Sequence, residues 1–141
     1  MGGCDPCNLV SKSQSVKEAI RQTEETGKEV AIVFNRECKE VECIEGDSTH
    51  VPLGSRNPSG IFHVHPNGCS EHLSWQDIGA AFGRNMDFIC SSNLKGETQC
   101  LEISPEGKNL LETLKKTDDV ELALRVLQKL KMVNAYECKV K

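Results

Sequence analysis

The chain has 141 residues and a formal net charge of −4; 38% of its residues are hydrophobic, 27% charged and only 4% aromatic. This length and composition are typical of one globular domain with a core of ordinary size. A negative net charge without a run of Lys or Arg argues against a nucleic-acid partner. The longest apolar run, VAIVF at 30–34, is too short to cross a membrane, so we expect no membrane partner either.

The first twelve residues are small, polar and cysteine-bearing, and we expect them to be loosely ordered. They lack the basic and apolar stretches of a signal peptide, so a cytoplasmic location is the default expectation. A helix is predicted next, from Ser15 to Thr26. Ser15 and Glu18 have capping-box spacing, and Gly27 is a typical C-terminal stop.

Three strands are predicted in the middle of the chain. EVAIVF (29–34) reads as a buried strand, and the alternating CKEVECIE (38–45) as its neighbour. Residues 46–60 are rich in glycine, proline and polar side chains, which favours a loop. IFHVH (61–65) is the third strand, and it should end at Pro66, which cannot donate a hydrogen bond to a sheet.

The second half of the chain adds a helix, a strand pair and two further helices. SWQDIGAAFG (74–83) is a helix capped by its first serine, and MDFICSS (86–92) and TQCLEIS (98–104) are strands paired around a turn. Two C-terminal helices are expected within 105–134, the second over 118–133. The order αβββαββαα predicts a single mixed α/β domain over residues 1–141.

Two histidines, His63 and His65, lie one residue apart on the third predicted strand, directly before Pro66. Because side chains alternate along a strand, both imidazoles project from one face, with their Cα atoms roughly 6.5 Å apart. Asp77 is expected in the first turn of the next helix, where its carboxylate can reach the strand end as a third metal ligand. Two histidines and a carboxylate are typical of a catalytic zinc site, which keeps a fourth position open.

Each of these features also has a plainer interpretation. A histidine pair can be polar residues on an exposed strand face. Ser74 with Asp77 also has the outline of a common helix cap with an acidic first turn. The combination of strand pair, proline, serine and aspartate at fixed spacing favours a site over these separate explanations.

Taken together, the residues resemble the HxHP-x₇-SxxD signature of the JAMM (MPN-domain) metalloproteases, filled here by His63, His65, Pro66, Ser74 and Asp77. The family also has a glutamate at the start of the strand after the first helix. Glu29 lies in that place, and Glu37 and Glu40 are its nearest rivals. The resemblance covers roughly residues 14–104. It implies the JAMM/MPN core, a mixed β-sheet flanked by helices that is similar to the core of cytidine deaminases.

The resemblance implies a bare catalytic core, like the small prokaryotic and archaeal members of the family. One catalytic zinc ion would be held by His63, His65 and Asp77; Glu29 would be the general base and Ser74 would stabilise the oxyanion. The implied partner is a ubiquitin-like protein or sulfur carrier, or a conjugate of one, cut after its C-terminal glycine. Its tail would lie extended beside a strand edge.

Two other functions fit parts of the pattern. A non-catalytic MPN-like module would bind a partner and carry zinc only structurally, but it would have no need of an open ligand triad. A zinc deaminase wants H-x-E followed by P-C-x-x-C, and here His65 stands where the acid should be. We therefore expect a hydrolase. The remaining histidines, His50 and His72, are expected to be solvated loop residues.

The eight cysteines leave the redox state open. Cys4-x₂-Cys7 and Cys38-x₄-Cys43 have spacings near those of a Cys₄ structural zinc site. The alternative is that the first pair belongs to a loose tail and the second to a strand, where alternation would bury Cys43.

Two further cysteines, Cys69 and Cys90, border the motif helix. They are either free buried thiols or a disulfide that would pin the loop beside the site. If unstrained, such a bridge would contribute about 3 kcal/mol by closing that loop.

The last predicted helix has an apolar face wider than one core contact requires. Val120, Ala123, Leu124, Leu127 and Leu130 form one stripe, and Leu122, Val126 and Val133 widen it to roughly 200°. We expect burial on two sides and consider a homodimer through this helix.

Overall fold

The computed structural model describes residues 5–47, 51–54, 58–66, 73–104 and 118–140, together with residues 110, 113, 114 and 116. Its helices and strands are, in chain order, α1 (Pro6–Lys12), α2 (Gln14–Thr26), β1 (Val30–Phe34), β2 (Glu40–Glu45), β3 (Gly60–Val64), α3 (Trp75–Gly83), β4 (Phe88–Ser92), β5 (Glu97–Ile103), α4 (Val120–Lys129) and β6 (Val133–Lys139). The predicted mixed α/β class is confirmed. None of the helices in the described ranges is long and apolar enough to cross a membrane.

The six strands form one sheet in the order β2-β1-β3-β4-β5-β6. Strands β3 and β4 run parallel, and the other neighbours in this sheet are antiparallel. Parallel neighbours need a crossover connection, and α3 provides it between β3 and β4. This crossover starts from the carboxyl end of β3, so the N-terminus of α3 can lie close to that strand end, where the two histidines are.

Helices cover both faces of the sheet. The first face packs against α1 and α2 through Val10, Val16, Ala19, Val30, Ile32, Phe34, Phe62, Val64, Phe88, Cys90 and Cys100. The second face packs against α3 and α4 through Ala31, Val33, Ile61, Ile78, Ala81, Phe82, Ile89, Leu101, Leu124 and Leu127. Because side chains alternate across a strand, His63 lies on the same face as Ile61, beneath α3.

The N-terminal region is more ordered than its composition suggests. Residues 6–12 form α1, with Pro6 at the first helical position and the Asp5 carboxylate accepting from the Asn8 N–H at 3.4 Å. The expectation of a loose segment was wrong for residues 5–12, because a disulfide ties Cys7 of α1 to Cys138 of β6. The cap of α2 is two residues earlier than predicted, since it is Ser13, whose side chain accepts the Val16 N–H, and not Ser15.

The C-terminal region differs most from the sequence-based expectation. Helix α4 ends at Lys129. Residues 133–139 form a strand, β6, which pairs with β5 along its whole length. A helix continuing to 133 was therefore wrong, because β5 offers an unpaired edge that this segment completes. Of the first C-terminal helix expected from residue 105 to about Lys116, residues 110, 113 and 114 are described as α-helical and Lys116 as 3₁₀-helical; the other residues of this range lie outside the described residues.

Helix α4 buries one side of its apolar face. Ala123, Leu124 and Leu127 are buried, whereas Leu122 is 42% exposed and Leu130 54% exposed. Burial on two sides is therefore not achieved within one copy of the chain. A homodimer through this helix stays a prediction.

Gly60, at the start of the strand that carries His63, provides a test of the packing under the site. A Cβ added at Gly60 would lie 2.1 Å from ring atoms of Phe88, which is 1% exposed and packs against Phe34. We expect Gly60→Ala to destabilise the protein by about 1–3 kcal/mol, the usual effect of overpacking a core. Denaturant unfolding measures this change.

Gly83→Ala is the matched control. Gly83 is exposed at the end of α3, and a Cβ there would meet nothing within 4 Å. Alanine should leave stability unchanged or raise it slightly, since it is the better helix former. Equal stability of the two variants would contradict the tight packing of β3 against β4.

Candidate metal centre

The two histidines emerge where β3 ends. His63 is the fourth residue of the strand and is 4% exposed. His65 lies one residue beyond the strand, where its N–H donates to the Ser92 carbonyl of β4 at 2.8 Å. This hydrogen bond continues the parallel pairing past the last strand residue, so both side chains point to the same side of the sheet as the sequence pattern predicted.

The ligand atoms of three predicted metal ligands converge. The Nε2 atoms of His63 and His65 are 3.1 Å apart. The Asp77 carboxylate lies 3.3 Å from His63 Nε2 through one oxygen and 3.8 Å from His65 Nε2 through the other. In a tetrahedral zinc site with bonds of about 2.0–2.1 Å, neighbouring ligand atoms are about 3.3 Å apart. The two imidazole nitrogens are thus near enough for one ion, and each is approached by a different oxygen of the Asp77 carboxylate.

Asp77 is oriented by the first turn of α3. Its Oδ2 accepts the Ser74 N–H at 3.0 Å, and its own N–H donates to the Ser74 hydroxyl at 3.2 Å, which completes a capping box. The residue before the cap, Leu73, donates its N–H to the Gln99 side chain of β5 at 2.8 Å. These bonds hold the start of α3 against strand β5, so the Asp77 carboxylate faces the two imidazoles.

The electrostatics of Asp77 favour its charged form. Burial works against ionisation, but the charge of His63, the hydrogen bonds from both histidines and the Ser74 N–H outweigh it. Together they hold the pKa of Asp77 well below its usual range. Asp77 is therefore a carboxylate at neutral pH, which is the form that binds a metal ion.

Glu29 is the fourth group at the centre. It directly precedes β1 and is 6% exposed, and its ligand oxygen lies within 4.8 Å of nitrogen atoms of His63 and His65. Burial raises the pKa of Glu29, while the positive charge of the two histidines opposes the rise. A carboxyl group with a raised pKa is suited to moving protons near neutral pH.

Glu29, His63 and His65 also form a group of possible ligands by themselves, because their ligand atoms all lie within 4.8 Å of one another; Asp77 does not belong to this group. The two rival glutamates, Glu37 and Glu40, are exposed; the hydroxyl of Ser13 donates to Glu40. Among these three glutamates the structure brings only Glu29 to the histidines. Its assignment as base rather than ligand stays a prediction.

Ser74 is exposed at the mouth of the centre, where its hydroxyl oxygen accepts the Asp77 N–H. A hydroxyl group accepts through its lone pairs and donates through its own hydrogen. The capping bond uses only the acceptor, so the donor is not consumed by it. Capping therefore does not prevent this hydroxyl from donating to an oxyanion.

A cleft of about 650 Å³ leads to these groups. Its polar wall is the metal centre and the start of α3. Its described apolar wall consists of Ala31, Val51, Pro52, Leu53, Ile61, Ala80 and Ile89. Arg84, which follows α3, donates to the Gly54 carbonyl at 2.9 Å and holds residues 51–54 beside the cleft. The turn-rich composition of 46–60 predicted a loop but did not indicate that it borders the site.

The cysteines pair differently from either expectation. Cys7 is bonded to Cys138, Cys38 is also in a disulfide, and Cys43 is free and exposed. The Cys4, Cys7, Cys38 and Cys43 zinc site is therefore not assembled among the described residues, and Cys4 lies outside them. The predicted burial of Cys43 was wrong as well, because the residue of β2 whose side chain lies in the core is its neighbour Ile44.

A bridge between Cys69 and Cys90 was also wrong, because Cys90 is bonded to Cys100. Cys90 lies on the α1 face of the sheet, away from the metal centre, since β4 alternates between the two faces. Cys69 itself, like His50 and His72, lies outside the described residues.

Comparison with protein-family models, with curated proteins and with solved structures finds no significant match to this chain. The interpretation of the centre therefore rests on its residues and their geometry.

Proposed function

We propose that this chain is a zinc-dependent isopeptidase or peptidase. Its substrate would be the amide bond after the C-terminal glycine of a ubiquitin-like protein or sulfur carrier. The convergence of His63, His65 and Asp77 with Glu29 at the end of a cleft carries the proposal. The substrate class is inferred from the resemblance to the JAMM signature alone.

The donor set fits zinc. Imidazole nitrogens and a carboxylate oxygen are ligands that zinc takes, the two Nε2 atoms lie 3.1 Å apart, and the two Asp77 oxygens lie 3.3 and 3.8 Å from them. His63, His65 and Asp77 would hold the ion. When bound, zinc supplies a Lewis acid for the substrate carbonyl and lowers the pKa of a water.

Glu29 would carry out the proton transfers. Its carboxylate is within reach of both histidines, so it borders any group bound between them. There it would accept a proton from the attacking water and return it to the leaving amine. Burial of Glu29 favours this role, because a raised pKa brings the carboxyl group closer to the pH at which it must act as both base and acid.

Ser74 and Asp77 would act as a rigid pair. The capping box fixes both side chains relative to the first turn of α3, which limits the rotamers that the Asp77 carboxylate can adopt. The Ser74 hydroxyl retains a hydrogen that it can donate to the oxyanion of the tetrahedral intermediate. One local motif would thus orient a metal ligand and provide an oxyanion donor.

The cleft supports an extended acyl-side substrate. Its apolar wall at Val51, Leu53 and Ile61 can cover an aliphatic side chain, while the close approach to the histidines favours residues without bulk at the scissile bond. A C-terminal glycine meets that requirement because it has no side chain. A flexible tail is also easier to place in a cleft than a folded segment.

A panel of ubiquitin-like precursors, isopeptide conjugates and sulfur carriers with C-terminal extensions tests the proposal. We expect cleavage after the terminal glycine, complete loss of cleavage with a chelator and recovery when zinc is restored. Mass spectrometry of the products identifies the bond that is cut.

Substrates with the terminal glycine replaced by valine are the matched controls and should be cut poorly. Cleavage that persists in chelator would exclude a metal-dependent mechanism. Tight binding of a ubiquitin-like protein without cleavage would favour the non-catalytic binding module instead.

A further inference from the structure

A second group of metal-binding side chains lies on the sheet face opposite the histidines. Four cysteines meet there, one each from α1, β4, β5 and β6: Cys7, Cys90, Cys100 and Cys138. Cys90 and Cys100 are fully buried, and the other two are half-buried. The proposed hydrolysis uses none of them.

Sheet register brings three of these cysteines together. Cys90 and Cys100 are directly opposite each other on antiparallel strands, with Cα atoms 4.1 Å apart. Cys138 pairs with Thr98, two residues before Cys100, so Cys138 and Cys100 are diagonal neighbours. Helix α1 crosses this region and places Cys7 with its Cα 5.9 Å from that of Cys138.

The sulfur atoms are closer than two independent disulfides require. Cys7 is bonded to Cys138 and Cys90 to Cys100, but the Cys100 and Cys138 sulfurs are also only 3.9 Å apart. The sulfurs of Cys7, Cys100 and Cys138 all lie within 4.8 Å of one another, and Cys90 is joined to this group by its bond to Cys100 without belonging to it. Two thiolates on one tetrahedral zinc ion, with Zn–S bonds of about 2.3 Å, are about 3.8 Å apart. The contact between the disulfides thus has the spacing of two ligands of one ion.

We propose that Cys7, Cys90, Cys100 and Cys138, when reduced, form a four-thiolate site for one zinc ion. The site is distinct from the histidine centre, since it lies on the other face of the sheet. It would tie α1 to three strands, whereas the two disulfides of the oxidised chain join α1 to β6 and β4 to β5. When the disulfides are reduced, the zinc ion would therefore replace them as the cross-link, and α1 would stay attached to the sheet.

The exchange balances with a dithiol as reductant. Each disulfide takes two electrons and two protons from one dithiol, which becomes a disulfide itself, so two dithiols yield four cysteine thiols. Binding of one divalent ion then forms four metal–sulfur bonds and releases the four thiol protons. The two fully buried thiols would otherwise remain protonated, because apolar surroundings disfavour a thiolate.

Cobalt titration of the reduced, metal-free full-length chain tests this site. Co²⁺ bound by thiolates has an intense sulfur-to-metal absorption that imidazole and carboxylate ligands cannot produce. We expect the reduced wild-type chain to develop this absorption up to one equivalent of Co²⁺, and the oxidised chain to show none. Zinc analysis should likewise find one more zinc ion per chain in the reduced form.

Cys138→Ser and Cys100→Ser should each weaken or abolish the absorption, whereas Cys43→Ser is the matched control and should leave it intact. Asp77→Ala should also leave it intact, which keeps this test separate from the proposed hydrolytic function. The wild-type titration decides the matter even where a variant does not fold. A reduced chain with native circular dichroism and no thiolate absorption would overturn the proposal, as would loss of the absorption in Asp77→Ala.

Discussion

Glu29→Gln is expected to lower the rate of amide hydrolysis by about 10²–10⁴-fold, the usual contribution of general acid–base catalysis. Glutamine keeps the size and hydrogen-bonding reach of Glu29 but cannot accept the proton of the attacking water. Because His63, His65 and Asp77 are unchanged, zinc content should stay near that of the wild type. Steady-state kinetics together with metal analysis of the same preparation measures both quantities.

Glu37→Gln is the matched control, since Glu37 is exposed in the turn that follows β1. Glu40 is less suitable because its carboxylate accepts from the Ser13 hydroxyl at the start of α2. Full activity in Glu29→Gln would remove Glu29 from the mechanism. Loss of zinc in that variant would instead make Glu29 a ligand, in agreement with its proximity to the two histidines.

Asp77→Asn is expected to lose metal and activity together. Removing a residue that only hydrogen-bonds to a metal ligand commonly lowers metal affinity by about 10–100-fold. Removing a direct ligand should lower it at least as much. Asparagine still has a carbonyl oxygen that can accept the Ser74 N–H, so the start of α3 should be preserved. Competition with a chromophoric chelator measures zinc affinity, and circular dichroism verifies the fold.

Asp119→Asn is the matched control for a capping carboxylate. Asp119 caps α4 by accepting the Leu122 N–H at 3.0 Å, and it does not line the cleft. Its substitution should leave zinc affinity and activity unchanged. Asp77→Asn with wild-type zinc affinity would show that the metal ligands have been assigned incorrectly.

The elements that hold the candidate site could be predicted from local sequence. The apolar run of β1, the strand that ends at Pro66 and the helix beginning after Ser74 each depend on neighbouring residues. Whether each segment is a strand or a helix is indicated by an apolar pattern and a flanking proline or serine within about ten residues. Because the three site ligands lie on two of these elements, the sequence also predicted that their side chains would converge.

Strand β6 and helix α1 could not be predicted in the same way. Residues 133–139 become a strand because β5 presents an edge, and α1 is held by a disulfide to that same strand. Both depend on contacts between residues far apart in the chain. Spacing rules grouped Cys7 with Cys4, whereas in the fold its disulfide to Cys138 places it beside Cys90 and Cys100.

The bridge between Cys7 and Cys138 joins residues 131 positions apart, so in the oxidised chain the backbone between them forms one large closed loop. A protease that cuts once within this loop would produce two fragments that the disulfide still joins into one covalent molecule. The nicked product would migrate as a single species on a gel without reductant and separate into two only after reduction. The fragments could also stay paired in the sheet after cleavage, because the broken ends remain tethered to the same fold.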